Sequence, residues 1–408
     1  MKKAILSLGV FMLLLALAVA PAFAAEAIND NTGADSENWA IAAELDFDVV
    51  YNGNFALLHN FTFAGANTGW NIIPGNGNGN SIGTGSASAV ANTSNFQNTN
   101  VSVIEGEDGD AALAKNFETG KNSENWAIAA DVDAAVVWNE NLALLCNFTY
   151  AGANSGFNHI GGPGLCNQTD PCEEGSKKNS ITTGAASAEA NTTNVQNTNL
   201  SMISVNGQGG SITAENNGTK KDSENIAVAA NLDAAVIVNL NGAFARNATI
   251  AMANTGFNGI SGDKKNDILT GAASAGANTS NFQNTNVSVI EQNGSGATTA
   301  SNKETGKEVE ECGEPEDSCP DNVAVAVDVE AAVVVNENLA LLDNTTVAGA
   351  NSGGNAVLGE DKNTITTGDA SAGANTTNVQ NTNVTVIGEG SCLFPDLCEP
   401  TCEPTCSY

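Results

Sequence analysis

Basic residues are scarce in this 408-residue chain: Lys and Arg together number 14 against 46 Asp and Glu, a formal net charge of −32, and Arg246 is the single arginine. Nucleic acid is thereby excluded as a partner, because binding it requires a basic track that displaces counterions. Aromatic residues make up only 5% of the chain, too few for a wide globular interior, so Ala, Val, Leu and Ile are the inward-facing candidates. Histidine occurs twice, at His59 and His159, and neither stands in a recurrent pattern with Ser or Cys. A phosphate loop, a zinc motif, a dinucleotide fingerprint and calcium-binding nonapeptides are also missing. Long apolar runs are limited to Ala4–Ala20, which follows Lys2 and Lys3 and precedes the small-residue site Ala22-Phe23-Ala24. This reads as a signal peptide over residues 1–24. No later segment is long and apolar enough to span a bilayer, so the expectation is a secreted protein, extracellular or at the cell surface, with no membrane span after cleavage.

What is present is a repeat. An Asn that opens an alternating run (Asn38, Asn125, Asn225, Asn322) is followed 29 residues later by an Asn-Thr/Ser-Gly turn (Asn67, Asn154, Asn254, Asn351). A second frame begins at Gly85, Gly184, Gly271 and Gly368, and 15 residues on it reaches the last Asn of Asn-Thr-Asn, at Asn100, Asn199, Asn286 and Asn383. Length varies only between the frames, as expected of stacked repeats with insertions in their connections. The chain then divides into a signal peptide (1–24), a lead-in (25–37), repeats at 38–124, 125–224, 225–321 and 322–390, and a Cys-rich tail (391–408).

Each repeat divides again into four segments that open with Asn, at Asn225, Asn247, Asn266 and Asn284 in the third. Val, Ile, Thr and Phe alternate with Ala, Ser and Asn, the period-two pattern of strands, and Gly and Asn suit tight corners. The predicted fold is an all-β repeat protein, a parallel β-solenoid of about sixteen coils of some twenty residues each, which at about 4.8 Å per coil is a rod of roughly 75 Å. Tandem antiparallel β-sandwich repeats are the competing fold. Asn at matched positions, including the four openers, predicts side-chain amide ladders along the stack.

Cysteine usage fits export. Cys166 and Cys172 bracket an insertion in the second repeat and Cys312 and Cys319 another in the third, each pair spaced for a local disulfide. In the tail, Cys392, Cys398, Cys402 and Cys406 crowd a Pro-containing segment, where two disulfides or a covalent link to another component are both open. Cys146 is the odd cysteine, at a position occupied by His59, Arg246 and Asp343 in the other repeats.

The best candidate for chemistry is a carboxylate pair two residues apart: Glu44 and Asp46, Asp131 and Asp133, Asn231 and Asp233, Asp328 and Glu330. Residues so spaced share a strand face. Four copies speak against an asymmetric catalytic centre. The pairs read first as a solvated outer face, then as weak cation sites for which calcium is the candidate, and last as the acids of a glycoside hydrolase. Asn-x-Ser/Thr sequons at Asn60, Asn100, Asn147, Asn247, Asn286, Asn344 and Asn383 can carry glycans only if those side chains face outward.

The coils NxAxA, NxTxAGANTG, ITTGDASAGANTTNVQ and NTNVTVI resemble the Asn/Thr/Gly-rich repeats of secreted bacterial surface proteins of β-solenoid type, over nearly all of the chain after residue 24. Gln97, Gln196, Gln283 and Gln380 also give it a faint similarity to curlin repeats, without their regular Ser…Gln-x-Gly-x-Gly-Asn pattern. That resemblance implies a structural or adhesive role without catalysis, with cell-surface or matrix components, glycans among them, as partners. A self-assembling filament subunit and a carbohydrate-active β-helix enzyme are the alternatives.

Overall fold

A computed structural model describes residues 25–74, 79–105, 111–161, 178–206, 211–220, 222–262, 265–293, 297–304, 322–359 and 362–389. The predicted signal peptide, the eight cysteines of the predicted disulfides and the tail lie outside them. Four coils are built alike. The first holds β1 (Glu26–Asp30), β2 (Glu37–Asn67), β3 (Ile72–Ile73), β4 (Ser81–Gly83) and β5 (Ala87–Glu105). The second holds β6 (Leu113–Phe117), β7 (Glu124–Asn154), β8 (His159–Ile160), β9 (Asn179–Thr182) and β10 (Ala186–Asn206). The third holds β11 (Ile212–Asn217), β12 (Glu224–Asn254), β13 (Gly259–Ser261), β14 (Asn266–Leu269) and β15 (Ala273–Asn293). The fourth holds β16 (Thr298–Lys303), β17 (Asn322–Asn351), β18 (Ala356–Leu358), β19 (Asn363–Thr366) and β20 (Ala370–Glu389).

Each strand pairs in parallel with its counterpart in the next coil, so the coils give five four-stranded sheets, such as β17-β12-β7-β2 and β20-β15-β10-β5. The protein is a parallel β-solenoid, and the antiparallel sandwich is ruled out by the direction of every pairing. The coil, however, is the whole repeat. Asn38 stacks on Asn125, 87 residues away, and not on an Asn about twenty residues on. The expected sixteen coils are four, and the stack is about 19 Å deep instead of 75 Å, while a 31-residue strand such as β2 is about 100 Å long. The reason lies in the Asn. Asn239, Asn241 and Asn247 sit within β12 with their side chains buried in the interior, so the residues expected to mark corners are core residues.

The real corners are glycine frames. A Cβ on Gly69 would lie 1.9 Å from the Gly156 carbonyl oxygen, and one on Gly184 would lie 2.4 Å from the Gly85 backbone. Backbones of successive coils approach there with no room for any side chain. This is the physical content of the invariant Asn-Thr/Ser-Gly and Thr-Gly frames.

Between corners, β2 runs out and β5 runs back against its C-terminal part, while the N-terminal part of β2 packs on β1 and β6. The interior is thin. It contains Ala64, Ala66, Ala87, Ala89 and Ala91 at one place, Ala40, Ala42, Ala112 and Ala114 at another, and Ile104, Ile203 and Ile290 against Val137 and Ile237 between them. At the wide corner Ile82, Ile160, Ile181, Ile260 and Ile268 fill the gap.

Carboxamides fill the rest of the interior, and they form the predicted ladders. The opening residues run Asn38 to Asn125 to Asn225 to Asn322, with Nδ2 of each donating to Oδ1 of the next at 2.8, 2.9 and 2.7 Å. Deeper in the strand the ladders of opposite sheets interlock. The Asn141 Nδ2 donates to Asn241 (2.9 Å) and to Asn199 across the interior (3.0 Å), while its Oδ1 accepts from Asn54 (2.9 Å) and Asn100 (3.0 Å). All four hydrogen-bonding positions of that amide are used. Asn194 is used equally, giving to Asn247 and Asn281 and accepting from Asn95 and Asn147. A threonine zipper joins Thr93 to Thr149, Thr149 to Thr192 and Thr192 to Thr249 at 2.9 Å each. The sequons at Asn100, Asn147, Asn247 and Asn286 are buried in these ladders, which leaves no room for a glycan. Gln97, Gln196, Gln283 and Gln380 form a ladder that donates in the opposite sense.

Replacing Asn141 by Ala would strand four amide partners in a water-free interior, so a loss of about 3 kcal/mol or more is expected. Asn52→Ala, in the first coil, should cost distinctly less, because its amide is only partly buried. Guanidinium unfolding of the two variants would measure the difference; equal losses would mean that the interlocked ladders do not carry the stability.

Candidate functional site

Three features stand out from the uniform stack. The first is the carboxylate column. Glu44, Asp131, Asn231 and Asp328 are register partners, as are Asp46, Asp133, Asp233 and Glu330. They share the parity of Asn38, Ala40 and Ala42, whose side chains form the interior, so they point inward; Glu44 and Asp131 are each 5% exposed. The expected solvated outer face is corrected here. The cause is that the small and amide side chains are the inner set, while the large apolar ones, expected inside, are outside.

Burial pushes the Asp233 carboxyl above its usual range; the Asn231 amide, which donates to it at 3.0 Å, opposes this, and the negative charges of Asp328 and Glu330 add to it. Asn231 also donates to Asp328 at 3.1 Å, so the one amide in the column separates carboxylates. Among the described residues no three His, Cys, Asp or Glu side chains are placed to hold one metal ion. A compensated carboxylate lies elsewhere. Glu215 is bridged by Lys115 (3.1 Å) and Lys303 (3.3 Å), and although burial works against its charge, these two lysines outweigh that and hold its carboxyl below the usual range.

The second feature is a groove of about 600 Å³ along the corner that follows the long strands. Gly65, Gly152 and Gly349 form its floor, Phe63 and Tyr150 one wall, and Trp70, Phe157 and Phe257 the other. The rings stack from coil to coil, Phe63 on Tyr150 at 5.2 Å and Phe157 on both Trp70 and Phe257 at 5.0 Å. Trp70, Phe157 and Phe257 hold φ of 66°, 60° and 60°, and Gly354 takes the same place in the fourth coil at 70°. A bulky aromatic in the left-handed region is costly, on the order of 1–3 kcal/mol, and such strain concentrates at functional positions. The Asn67, Asn154, Asn254 and Asn351 ladder at the groove rim donates from each coil to the one before.

The third feature is the pair of stack ends. β2 and β5 in the first coil and β17 and β20 in the fourth are edge strands. Such edges are templates for another chain, and these are long and carry no proline. Every ladder reaches both ends with a fixed sense: Asn38, Asn52 and Asn54 present amide oxygens at the first coil, and the same ladders end in the Nδ2 groups of Asn322, Asn336 and Asn338 at the fourth. The repeat frames identified the openers Asn38 to Asn322 and the rim residues Asn67 to Asn351, but not which way they faced. The left-handed backbone conformation of Trp70, Phe157 and Phe257 has no sequence signal of its own.

No helix among the described residues is long and apolar enough to cross a membrane. Comparison with family models, with curated proteins and with solved structures finds no match to this chain in any of the three.

The Asp233 environment sets a pH dependence. A carboxyl whose folded pKa lies above its ordinary 3.8 binds more protons folded than unfolded, so stability falls as pH rises from about that value through the raised one. Asp233→Asn should raise the unfolding midpoint at pH 7 and flatten this dependence between pH 4 and 7. Denaturant titrations of both forms at several pH values test it, and an unchanged or lower midpoint at pH 7 would refute the assignment.

Proposed function

We propose that this protein is a secreted, non-catalytic structural subunit whose solenoid units join end to end into an extracellular filament. The observation that carries this reading is the one-way sense of the amide ladders. An end that presents Nδ2 groups fits an end that presents Oδ1 groups, at the same spacing and in the same register as inside the chain. Like ends, two first coils for example, would set oxygen against oxygen in the Asn38, Asn52 and Asn54 ladders and nitrogen against nitrogen in the oppositely directed Gln97 ladder. The contact is therefore heterologous, and a translation that does not close gives an open fibre.

The interior positions also match across such a junction. Asn336 and Asn338 would stand over Asn52 and Asn54, Thr346 over Thr62, and Ala348 and Ala350 over Ala64 and Ala66, the pairings already present between coils. The junction would also bring Asp328 and Glu330 near Glu44 and Asp46, so acid or divalent cations should favour assembly by reducing that repulsion. Burial of Glu44, Asp131 and Asp233 counts against the hydrolase reading; Asp328 and Glu330 reach solvent, at the stack end, because the fourth coil ends the described stack. The adhesive reading draws on the aromatic groove, where a glycan would rest on ring faces, because the Asn154 amide at the rim is already engaged on both its nitrogen and its oxygen.

Electron microscopy and fibre diffraction test the filament. The purified protein should form fibres with a repeat near 4.8 Å along the axis, faster at pH 5 or with millimolar calcium, and preformed fragments should shorten the lag. Thr255 donates its N–H to the Asn351 carbonyl, so Asn351 and residues an even number before it in β17 bond to the third coil, and their neighbours turn outward at the stack end. Prolines at two of those neighbours, A340P/A348P, should leave single solenoids and no fibres. Wild-type protein that stays as single particles under all these conditions would overturn the proposal.

A further inference from the structure

The outer face of the long sheet β17-β12-β7-β2 is the largest feature that end-to-end stacking leaves unexplained. Its outward rows are apolar along nearly the whole strand. In the first coil Trp39, Ile41, Phe55, Leu57, Phe61 and Phe63 are all more than half exposed, and in the fourth Leu339 and Leu341 are 60% and 62% exposed. The face measures about 100 Å by about 19 Å, roughly 1,900 Å², against the roughly 800 Å² per partner of a standard stable interface. Monomeric proteins rarely expose apolar patches beyond a few hundred Å².

We infer that this face pairs with the same face of a second copy of the chain, about a two-fold axis that runs along the strands. Such an axis keeps each row opposite itself and reverses the order of the coils, so that coil one faces coil four and coil two faces coil three. The residues along the rows are complementary under that operation. In two rows bulky rings lie in the first two coils and smaller residues in the last two: Tyr51 and Trp138 share a row with Val238 and Val335, and Phe61 and Phe148 share one with Ala248 and Thr345. Pairing therefore sets Tyr51 against Val335 and Phe148 against Ala248, ring into hollow in both directions.

The charged row complements itself as well. His59, Cys146, Arg246 and Asp343 occupy one row, with Arg246 and Asp343 already bridged at 3.4 Å. The two-fold sets His59 opposite Asp343 and Cys146 opposite Arg246, so that no like charges meet in this row; Glu337 faces Gly53 and Glu140 faces Leu240, and the one like pair among the described residues, Glu124 and Glu224, lies at the end of the face. A sheet with Ala, Asn and Thr inside and rings outside buries little apolar surface by folding alone. Pairing two such faces gives it the apolar layer that its own interior lacks.

This contact uses the sides of the solenoid, whereas filament growth uses its ends, so the two can fail separately. In filaments, mass per length from dark-field electron microscopy should give two chains for each rise of about 19 Å. In solution, if no filaments form, sedimentation should give a dimer. L144K/F244K places four like charges at the centre of the paired faces while leaving the interior unchanged; it should halve the mass per length, or the sedimenting mass, with an unaltered far-ultraviolet spectrum as the control for folding. L144K/F244E, which sets opposite charges against each other across the same contact, should restore the pair. One chain per 19 Å, or a monomer, in the wild-type protein would overturn the inference, as would a L144K/F244K variant that stays paired. Wild-type monomer that floats with phosphatidylcholine vesicles would overturn it in favour of a lipid surface.

Discussion

A carboxamide has two donors and two acceptor positions, and a dry interior requires all of them to be used. In-register parallel stacking supplies one donor and one acceptor from the coils above and below. The half-step offset between facing sheets supplies the others, as at Asn141 and Asn194. The fold depends on this condition. A shift of one residue would set outward-facing side chains against the ladder amides, Trp138 or Glu140 against Asn239 for example, so the amides fix the register where a greasy core would tolerate sliding.

The same condition inverts the usual distribution of polarity. Interlocked amides and alanines need closely apposed sheets, and large side chains cannot fit between them. The rings, and many of the branched aliphatics, are thus placed outside, in columns that stack between coils, Trp39 on Trp126 at 4.8 Å and Phe61 on Phe148 at 5.0 Å, while Ile and Val enter the clusters around Ile203 and Ile181. The interior is complete within one chain except at its two ends, and the exterior is apolar along one side. These two incomplete surfaces are the ones that the proposed association with further copies would complete, one by hydrogen bonds and one by apolar contact. An interior acid column and a strongly negative chain would make the proposed association depend on pH and salt.

Much of this was legible in the residues. The 29-residue and 15-residue frames are the long strand and the returning strand with their corners, and the ladder positions are the repeated Asn. Two inferences failed for physical reasons. Asn was given its turn role, although Asn239 and Asn247 lie buried in mid-strand, and alternation alone cannot say which of two alternating sets faces in. The hydrophobic rule favours Val, Leu and Phe inside; here the cost of leaving an amide unsatisfied, multiplied along each ladder, outweighed it. Placement of Glu44 and Asp131 followed from that choice, and so the carboxylates predicted for an outer face belong to the interior.

By itself the sequence determined that the chain is a four-fold repeat of alternating strands, that its connections vary while its frames do not, and that its amides recur at ladder positions. These are consequences of local order, of glycine where backbones touch and of period-two alternation. Only the tertiary structure decided that one whole repeat forms one coil, that most of the large apolar side chains face outward and that each ladder keeps a single donor sense along the stack. Those properties arise from which strand lies beside which, and a hydrogen bond between Asn38 and Asn125 exists only once 87 residues of chain have come round to close the coil.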